Sequence, residues 1–330
     1  MNTHFPDPAT LRAALALATR APSVHNVQPW KWRVGAASLH IYSEPALHLE
    51  RTDPDGREAM VSCGAALNHG VVALAALGWQ SKVRRFPDPA EPTHLASIEV
   101  QPLVPSQVDI ALAAAIPRRR TDRRYFSAWP VSHGDVALMG MRAARAGIVM
   151  RRLDPSPKLR ATLEHAVWRH VTDPEYLAEL TMWSGRYGGT AGVPARNTPE
   201  SNPESPVPGR LFAGTSLAQH ATLEPAEDHG VLLALGTADD DDLARLRTGE
   251  ATSLVLLTAT SLGMASCPVT EVLEFGETRS TIREDAFDGA EFPQMLVRVG
   301  WAPVNADPLP STPRRPLGEV VTRLDGTRWE

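Results

Sequence analysis

One stretch restricts this chain more than any other: Met60 to Trp79 is apolar along nearly its whole length. Ser62, Asn68 and His69 interrupt it, and Gly64 and Gly70 lie within it. A membrane span needs about twenty unbroken apolar residues, so the segment predicts a helix buried in a globular core. It should run from about Arg57 to Leu77 and stop at Gly78, a residue type that accepts the left-handed conformation at a helix C-terminus. A second helix is expected from about Gly249 to Leu262, ending at Gly263. Gly64 and Gly249 lie 185 positions apart, as do Ala66 and Ala251, Leu77 and Leu262, and Gly78 and Gly263. Small and aliphatic residues recur in any buried helix. Taken with strands and helices alternating around both segments, the shared spacing suggests an α+β unit present twice.

Length agrees with that reading. With 330 residues, 43% of them hydrophobic, two domains or two packed halves are the natural expectation. The formal net charge of −5 leaves no broad positive field for nucleic acid. Only Cys63 and Cys267 occur, neither in a CxxC pair, which argues against a disulfide scaffold or a structural zinc site and fits a reducing compartment. Met1 to Thr10 shows no secretory pattern. A cytoplasmic protein without membrane or nucleic-acid partners is expected.

Asp7 and Pro8 predict a helix start, and Pro22 stops that helix. Short strands are expected at 32–34, 39–42, 82–86 and 95–100, completing a first half at residues 1–105. The second half, 106–330, should hold helices near 108–116, 132–147, 158–170 and 175–182. Its strands are expected at 148–153, 230–235 and 295–299, before an irregular Pro-rich tail. Residues 184–214 contain six glycines and five prolines with no apolar period, the pattern of a functional loop or a disordered insertion. Trp183, Tyr187 and Phe212 could anchor it as an ordered lid.

Four segments are chemically unusual. Residues 118–124 read Arg-Arg-Arg-Thr-Asp-Arg-Arg. Five guanidiniums this close repel one another unless an anion sits among them, and a phosphate monoester fits paired arginine donors. A solvated basic turn partnered by Asp122 is the alternative. Residues 21–30, Ala-Pro-Ser-Val-His-Asn-Val-Gln-Pro-Trp, pack hydroxyl, imidazole and amide groups into one loop. They could face a polar heterocycle or satisfy local backbone; His25 by itself is more often structural than catalytic. Pro268-Val269-Thr270-Glu271 follows the Gly263 helix end and could bring backbone N–H groups near a planar ligand. Arg314 and Arg315 add two late cations. Metal or hydrolase chemistry is poorly supported: HExxH, GxSxG, a P-loop lysine and GxGxxG are all absent, and Asp239 to Asp242 read as a solvated helix cap.

Together these segments resemble the nitroreductase superfamily, in its fused Acg branch, over roughly residues 7 to 320. The 21–30 loop is the most specific match; Arg119-x-Thr121-x-Arg123 is similar to the family's Arg-x-Ser-x-Arg/Lys phosphate motif, with Thr for Ser. The resemblance implies an FMN site built from Pro22, Ser23, His25, Asn26 and Gln28 on the ribityl or isoalloxazine region, Arg119, Thr121 and Arg123 on the phosphate with Arg314 assisting, and Pro268, Val269 and Thr270 at the reactive edge. No catalytic side chain and no metal is expected. In ordinary members the phosphate motif precedes the Pro-Ser loop. Here the first half lacks that motif before Pro22 and the second half lacks a second Pro-Ser loop, so the resemblance implies a pseudo-dimer, monomeric or paired as a homodimer, with one complete composite pocket and one degenerate pocket. It also implies an NAD(P)H-dependent oxidoreductase acting on nitroaromatic or quinone-like electron acceptors, or else a flavin storage protein if the lid stays shut.

Overall fold

In the computed structural model, residues 5–185, 189–200, 205, 207–219 and 228–329 are described. The first half comprises α1 (Pro8–Ala18), β1 (Trp30–Val34), β2 (Ser38–Ser43), α2 (Arg57–Ala76), β3 (Trp79–Arg85) and β4 (His94–Pro102). A linking helix α3 (Gln107–Ala115) follows, then α4 (His133–Arg145), β5 (Val149–Leu153), α5 (Pro157–Val171) and α6 (Pro174–Trp183). The chain continues through β6 (Val231–Thr237), α7 (Asp242–Ser261), β7 (Ala265–Val269), α8 (Gly276–Phe287), β8 (Phe292–Gly300), α9 (Leu317–Val320) and β9 (Val321–Arg323). It is a mixed α+β fold.

Local chemistry sets the helix ends. The Asp7 carboxylate accepts from the Ala9 and Thr10 amides, ahead of Pro8 at the first helical position. Ser132 caps α4 through the Asp135 amide. Asp241 caps α7 through Ala244, so that helix starts at Asp242, a full seven residues before Gly249. The Asp239–Asp242 run thus belongs to the helix start. Asp240 is held by Arg279, with both oxygens 2.7 Å from its guanidinium.

Two sheets order themselves alike. One runs β3-β4-β2-β1-β9 and the other β5-β6-β8-β7. Reading β1 as β5, β2 as β6, β3 as β7 and β4 as β8 makes the four shared strands coincide, with antiparallel pairing throughout. Each sheet covers its own apolar core: α1 and α2 pack with Trp30, Trp32 and Ile41, while α4 and α7 pack with Leu233, Leu235 and Val297. Between the cores α2 crosses α7 at the glycines picked out by their spacing. A Cβ on Gly64 would lie 2.0 Å from the Leu246 carbonyl oxygen, and one on Gly249 would lie 2.0 Å from that of Val61. Asn68 and Ser253, also 185 positions apart, share a 2.7 Å hydrogen bond there. Helix α2 is apolar enough to span a membrane, but 72% of that window is buried inside the protein, as a core helix requires.

Two expectations change. Residues 265–269 form edge strand β7, where Pro268 is tolerated because an edge does not need every amide. The tail beyond Gly300 is not irregular throughout: it returns to the first half, where β9 pairs in parallel with β1.

Candidate active site

The connection from α1 to β1 is backbone-strained. His25, Asn26 and Gln28 have φ of 44°, 56° and 58°, a left-handed conformation that costs on the order of 1–3 kcal/mol for each non-glycine residue. Asn26 and Gln28 supply the bonds that hold it. Gln28 donates its amide N–H to Ser23 Oγ at 2.9 Å and its side-chain Nε2 to the Thr190 carbonyl at 2.9 Å, and it accepts from the Arg315 amide at 2.8 Å. Asn26 Nδ2 donates to the carbonyls of Gly192 and Pro313, each at 3.0 Å. The loop is therefore riveted to the 189–192 segment and to the C-terminal arm.

The arginine run takes an alternating conformation. Thr121 pairs with Ser266 in a parallel bridge, and the Asp122 amide donates to the Ser266 carbonyl at 2.9 Å. An extended segment sends alternate side chains to opposite sides. Arg119, Thr121 and Arg123 line one cavity of about 200 Å³. Arg124 turns away into a buried ion pair with Asp122 at 3.0 Å, and Arg118 is exposed. The solvated-turn alternative thus describes Arg118 and, in part, its neighbours: Arg124 takes Asp122 as its partner, and half-exposed Arg120 donates to the Pro117 and Arg119 carbonyls. Arg119 is only 6% exposed, and its Nε has no hydrogen-bond partner. Burial first, then Arg120, Arg20 and Arg123, bring its pKa down to about 10. Arg123 rests over the Phe212 ring at 4.8 Å.

The same cavity collects Pro22, Ser23, His25, Asn26, Pro268, Val269, Thr270 and Arg314. Of the expected residues Gln28 is the exception: it is fully buried behind the wall, a brace for the loop and not a ligand contact. Arg314 also differs in kind. Its guanidinium donates to the carbonyls of Thr19, Arg20 and Ala21 and to Asn26 Oδ1, at 2.9–3.1 Å. It closes the C-terminal end of α1, where cations are favoured, and lends the cavity charge more than free donors. Burial and the nearby Arg119, Arg20 and Arg120 lower its pKa to about 9. Among the described residues, none of Arg119, Arg123 and Arg314 is within an ion pair of a carboxylate.

No protein-family model matches the chain. It is 62% identical over 321 residues to a Mycobacterium tuberculosis (strain ATCC 25618 / H37Rv) protein named "Putative NAD(P)H nitroreductase Rv3131", covering 97% of this chain and 93% of that one. It is 36% identical to "Putative NAD(P)H nitroreductase acg" of the same strain, covering 94% of each. The chain belongs to the nitroreductase superfamily. Among solved structures it is similar to a nitroreductase with bound FMN from Bacteroides fragilis NCTC 9343, at 16% identity and a TM-score of 0.40, over 61% of this chain and 93% of that chain.

The nitroreductase motifs do not exhaust the cavity. Glu58, Arg210 and Glu271 also line it. Arg210 donates to Tyr176 Oη at 2.9 Å and to His25 Nε2 at 3.2 Å, and it pairs with buried Glu274. Burial, then Arg210 and Arg123, hold His25 well below the usual histidine range, hence neutral. Its lining thus combines the arginines with the buried acids Glu58 and Glu271 and with exposed Glu200. Glu58 was visible in the sequence as a charge in the first turn of an apolar helix. Arg210, within the Gly/Pro loop, carried no such mark. Of the aromatics expected to anchor that loop, Phe212 does so under Arg123, Trp183 is half-buried, and Tyr187 falls outside the described residues, as do 186, 188, 201–204 and 206.

Arg85, 185 positions before Thr270, makes a bidentate pair at 2.6 and 2.7 Å with Glu250, which lies 185 positions after Ala65. The long loop 19–29 that follows α1 corresponds to only 146–148 between α4 and β5.

Proposed function

We propose that the chain is an FMN-dependent NAD(P)H oxidoreductase of the cytoplasm, built as a pseudo-dimer of residues 1–105 and 106–330 around a single composite flavin site. The observation that carries this reading is the set of arginines facing one cavity, buried Arg119 and half-buried Arg123 and Arg314, none of them paired with a carboxylate among the described residues. Such charges call for an anion, and a phosphate monoester of about −1.5 to −2 charge suits them. Arg119 and Arg123 would hold the phosphate with Thr121, while Arg314 supplies field. Pro22, Ser23 and Asn26 would border the rest of the cofactor, and the 268–270 segment would face its reactive edge. Bound flavin would accept hydride from a reduced nicotinamide and pass it to a small nitroaromatic or quinone-like acceptor. The chain's own part is to orient, to exclude water and to supply charge.

One site per chain is supported by the Arg85–Glu250 pair and the short 146–148 connection. Purified protein is expected to take up one equivalent of FMN per chain, and NAD(P)H should bleach it anaerobically. Protein that stays colourless after incubation with FMN refutes the assignment; two equivalents refute the single-site version.

A storage function is the second reading, favoured by one observation: Val193, Arg210 and Phe212 all belong to the cavity wall. If the 184–214 lid does not open, a nicotinamide cannot reach the flavin. Steady-state NAD(P)H oxidation with menadione decides. Turnover supports the oxidoreductase, and a yellow, inert protein supports storage.

A further inference from the structure

Helix α7 carries six hydroxyl side chains, and five of them are engaged by the chain itself. Thr248, Thr258 and Thr260 each donate to the carbonyl four residues back at 2.6–2.8 Å, and Ser261 donates to the Thr258 carbonyl at 2.8 Å. Ser253 donates to Asn68 Oδ1 at the helix crossing. Such back-bonding is the ordinary resting place of a helical threonine hydroxyl. Thr252 departs from it. The residue is 2% exposed, and its Oγ1 has no hydrogen-bond partner within the protein. A buried hydroxyl left in that state costs free energy.

Thr252 lines the cavity. At the position 185 residues earlier, in α2, stands Leu67, fully buried in the first core and not part of the cavity wall. The shared helix register thus puts an aliphatic side chain in the core and a hydroxyl at the cavity. From α2 and α7 the wall receives Glu58, Val61, Ser62, Ala65 and Thr252, and no cation. Ser62 is already engaged: its hydroxyl donates to the Glu58 carbonyl at 2.7 Å and accepts from the Val24 amide at 3.3 Å. A phosphate is not favoured on a stretch that offers a carboxylate and no arginine, whereas a neutral polar group is.

We propose that Thr252 is a further ligand-binding residue of this cavity, its hydroxyl forming a hydrogen bond with an uncharged oxygen or nitrogen of the bound flavin, away from the phosphate. The assignment rests on the flavin reading above. It makes the cavity selective for a phosphate ester with a polar body over bare phosphate, because only the ester engages the arginines and the hydroxyl together.

The full chain, stripped of flavin, is titrated calorimetrically with FMN, and its melting temperature is followed with and without inorganic phosphate. Thr252→Val keeps the side-chain shape and removes the hydroxyl. It should weaken FMN binding by about tenfold and leave the stabilisation by phosphate unchanged. Thr252→Ser, which restores the hydroxyl, should bind FMN within about twofold of wild type. Without ligand, Thr252→Val should melt at or above the wild-type temperature, since no bond within the chain is lost. A hydroxyl that serves only the fold does not give this crossed result. Unchanged FMN affinity in Thr252→Val overturns the proposal, as does a Thr252→Ser protein that binds as weakly as the valine variant. Equal losses for FMN and for phosphate place the hydroxyl on the phosphate and overturn it as well. A ligand-free Thr252→Val that melts lower, or does not fold, shows that the chain uses the hydroxyl and has the same consequence. A wild-type chain that takes up no FMN defeats the flavin reading instead. The ligand-free melting comparison then decides alone: a lower temperature in Thr252→Val overturns the spare hydroxyl, and an equal or higher one upholds it.

Discussion

Glutamate at positions 119 and 123 together (R119E/R123E) is expected to abolish FMN retention while leaving the protein folded. Each arginine contributes charge-assisted hydrogen bonds of about 1.5–3 kcal/mol, so losing both weakens binding by roughly 10²–10⁴-fold, before any repulsion from the new carboxylates. Flavin content after gel filtration, with calorimetric titration of FMN into the stripped protein, measures it. Unchanged retention would sink the composite site. The fold should survive because neither arginine is paired with a carboxylate among the described residues. Arg119 is buried without a carboxylate partner, and the drop in its pKa to about 10 corresponds to a cost on the order of 3 kcal/mol. The unfolded chain binds that proton more tightly. The penalty is therefore complete below about pH 10 and fades as pH climbs toward the ordinary arginine range. Arg119→Gln should accordingly raise the melting temperature of flavin-free protein, and inorganic phosphate should stabilise the wild type more than the variant.

The second large effect concerns the helix crossing. Gly249→Ala is expected to cost about 4 kcal/mol or more, enough to prevent folding in a marginally stable chain. Its Cβ would lie 2.0 Å from the Val61 carbonyl oxygen and 2.7 Å from Gly64 Cα. Both obstacles are backbone, so relief requires separating α2 from α7 and with them the two cores. Gly134→Ala, on the exposed face of α4 where a Cβ meets only Ser132 Oγ at 3.7 Å, should be neutral or slightly stabilising. Urea denaturation of both variants gives the comparison. Wild-type stability in Gly249→Ala means that the crossing is looser than its geometry indicates.

Periodicity and caps made most elements legible, because helices α1, α3 and α4 start where a side-chain oxygen is available to the backbone. The 185-residue spacing pointed to where the two long helices cross. Pro268 hid an edge strand, since a residue without an amide proton reads as a breaker until its neighbours are known. Helix α8 and strand β9 went unseen. Arg279, in α8, is turned to Asp240, and β9 is only three residues long with its partner in β1. At the site, residue types were readable and roles were not. Arginines 118–124 look equivalent in a string, and only the extended backbone separates those facing the cavity from Arg124, which is tied to Asp122. Gln28 was expected among the ligand contacts because amides suit heterocycles. Three residues of left-handed backbone turned out to need that amide more. The buried acids Glu58, Glu271 and Glu274 come from α2 and the turn after β7, with partners from α5 and the 207–212 segment, which no local window could have joined.

The arm that carries Arg314 and ends in β9 sets an order of events during synthesis. Asn26 and Gln28 rest on Pro313 and Arg315, while the sheet that receives Val321 is made from residues translated long before. Until residues 313–321 are made, the 22–28 loop lacks these bonds and the first core lacks Val320 and Val321. Removing residues 313–330 should therefore loosen the 22–28 loop, and it also strips Val320 and Val321 from the first core.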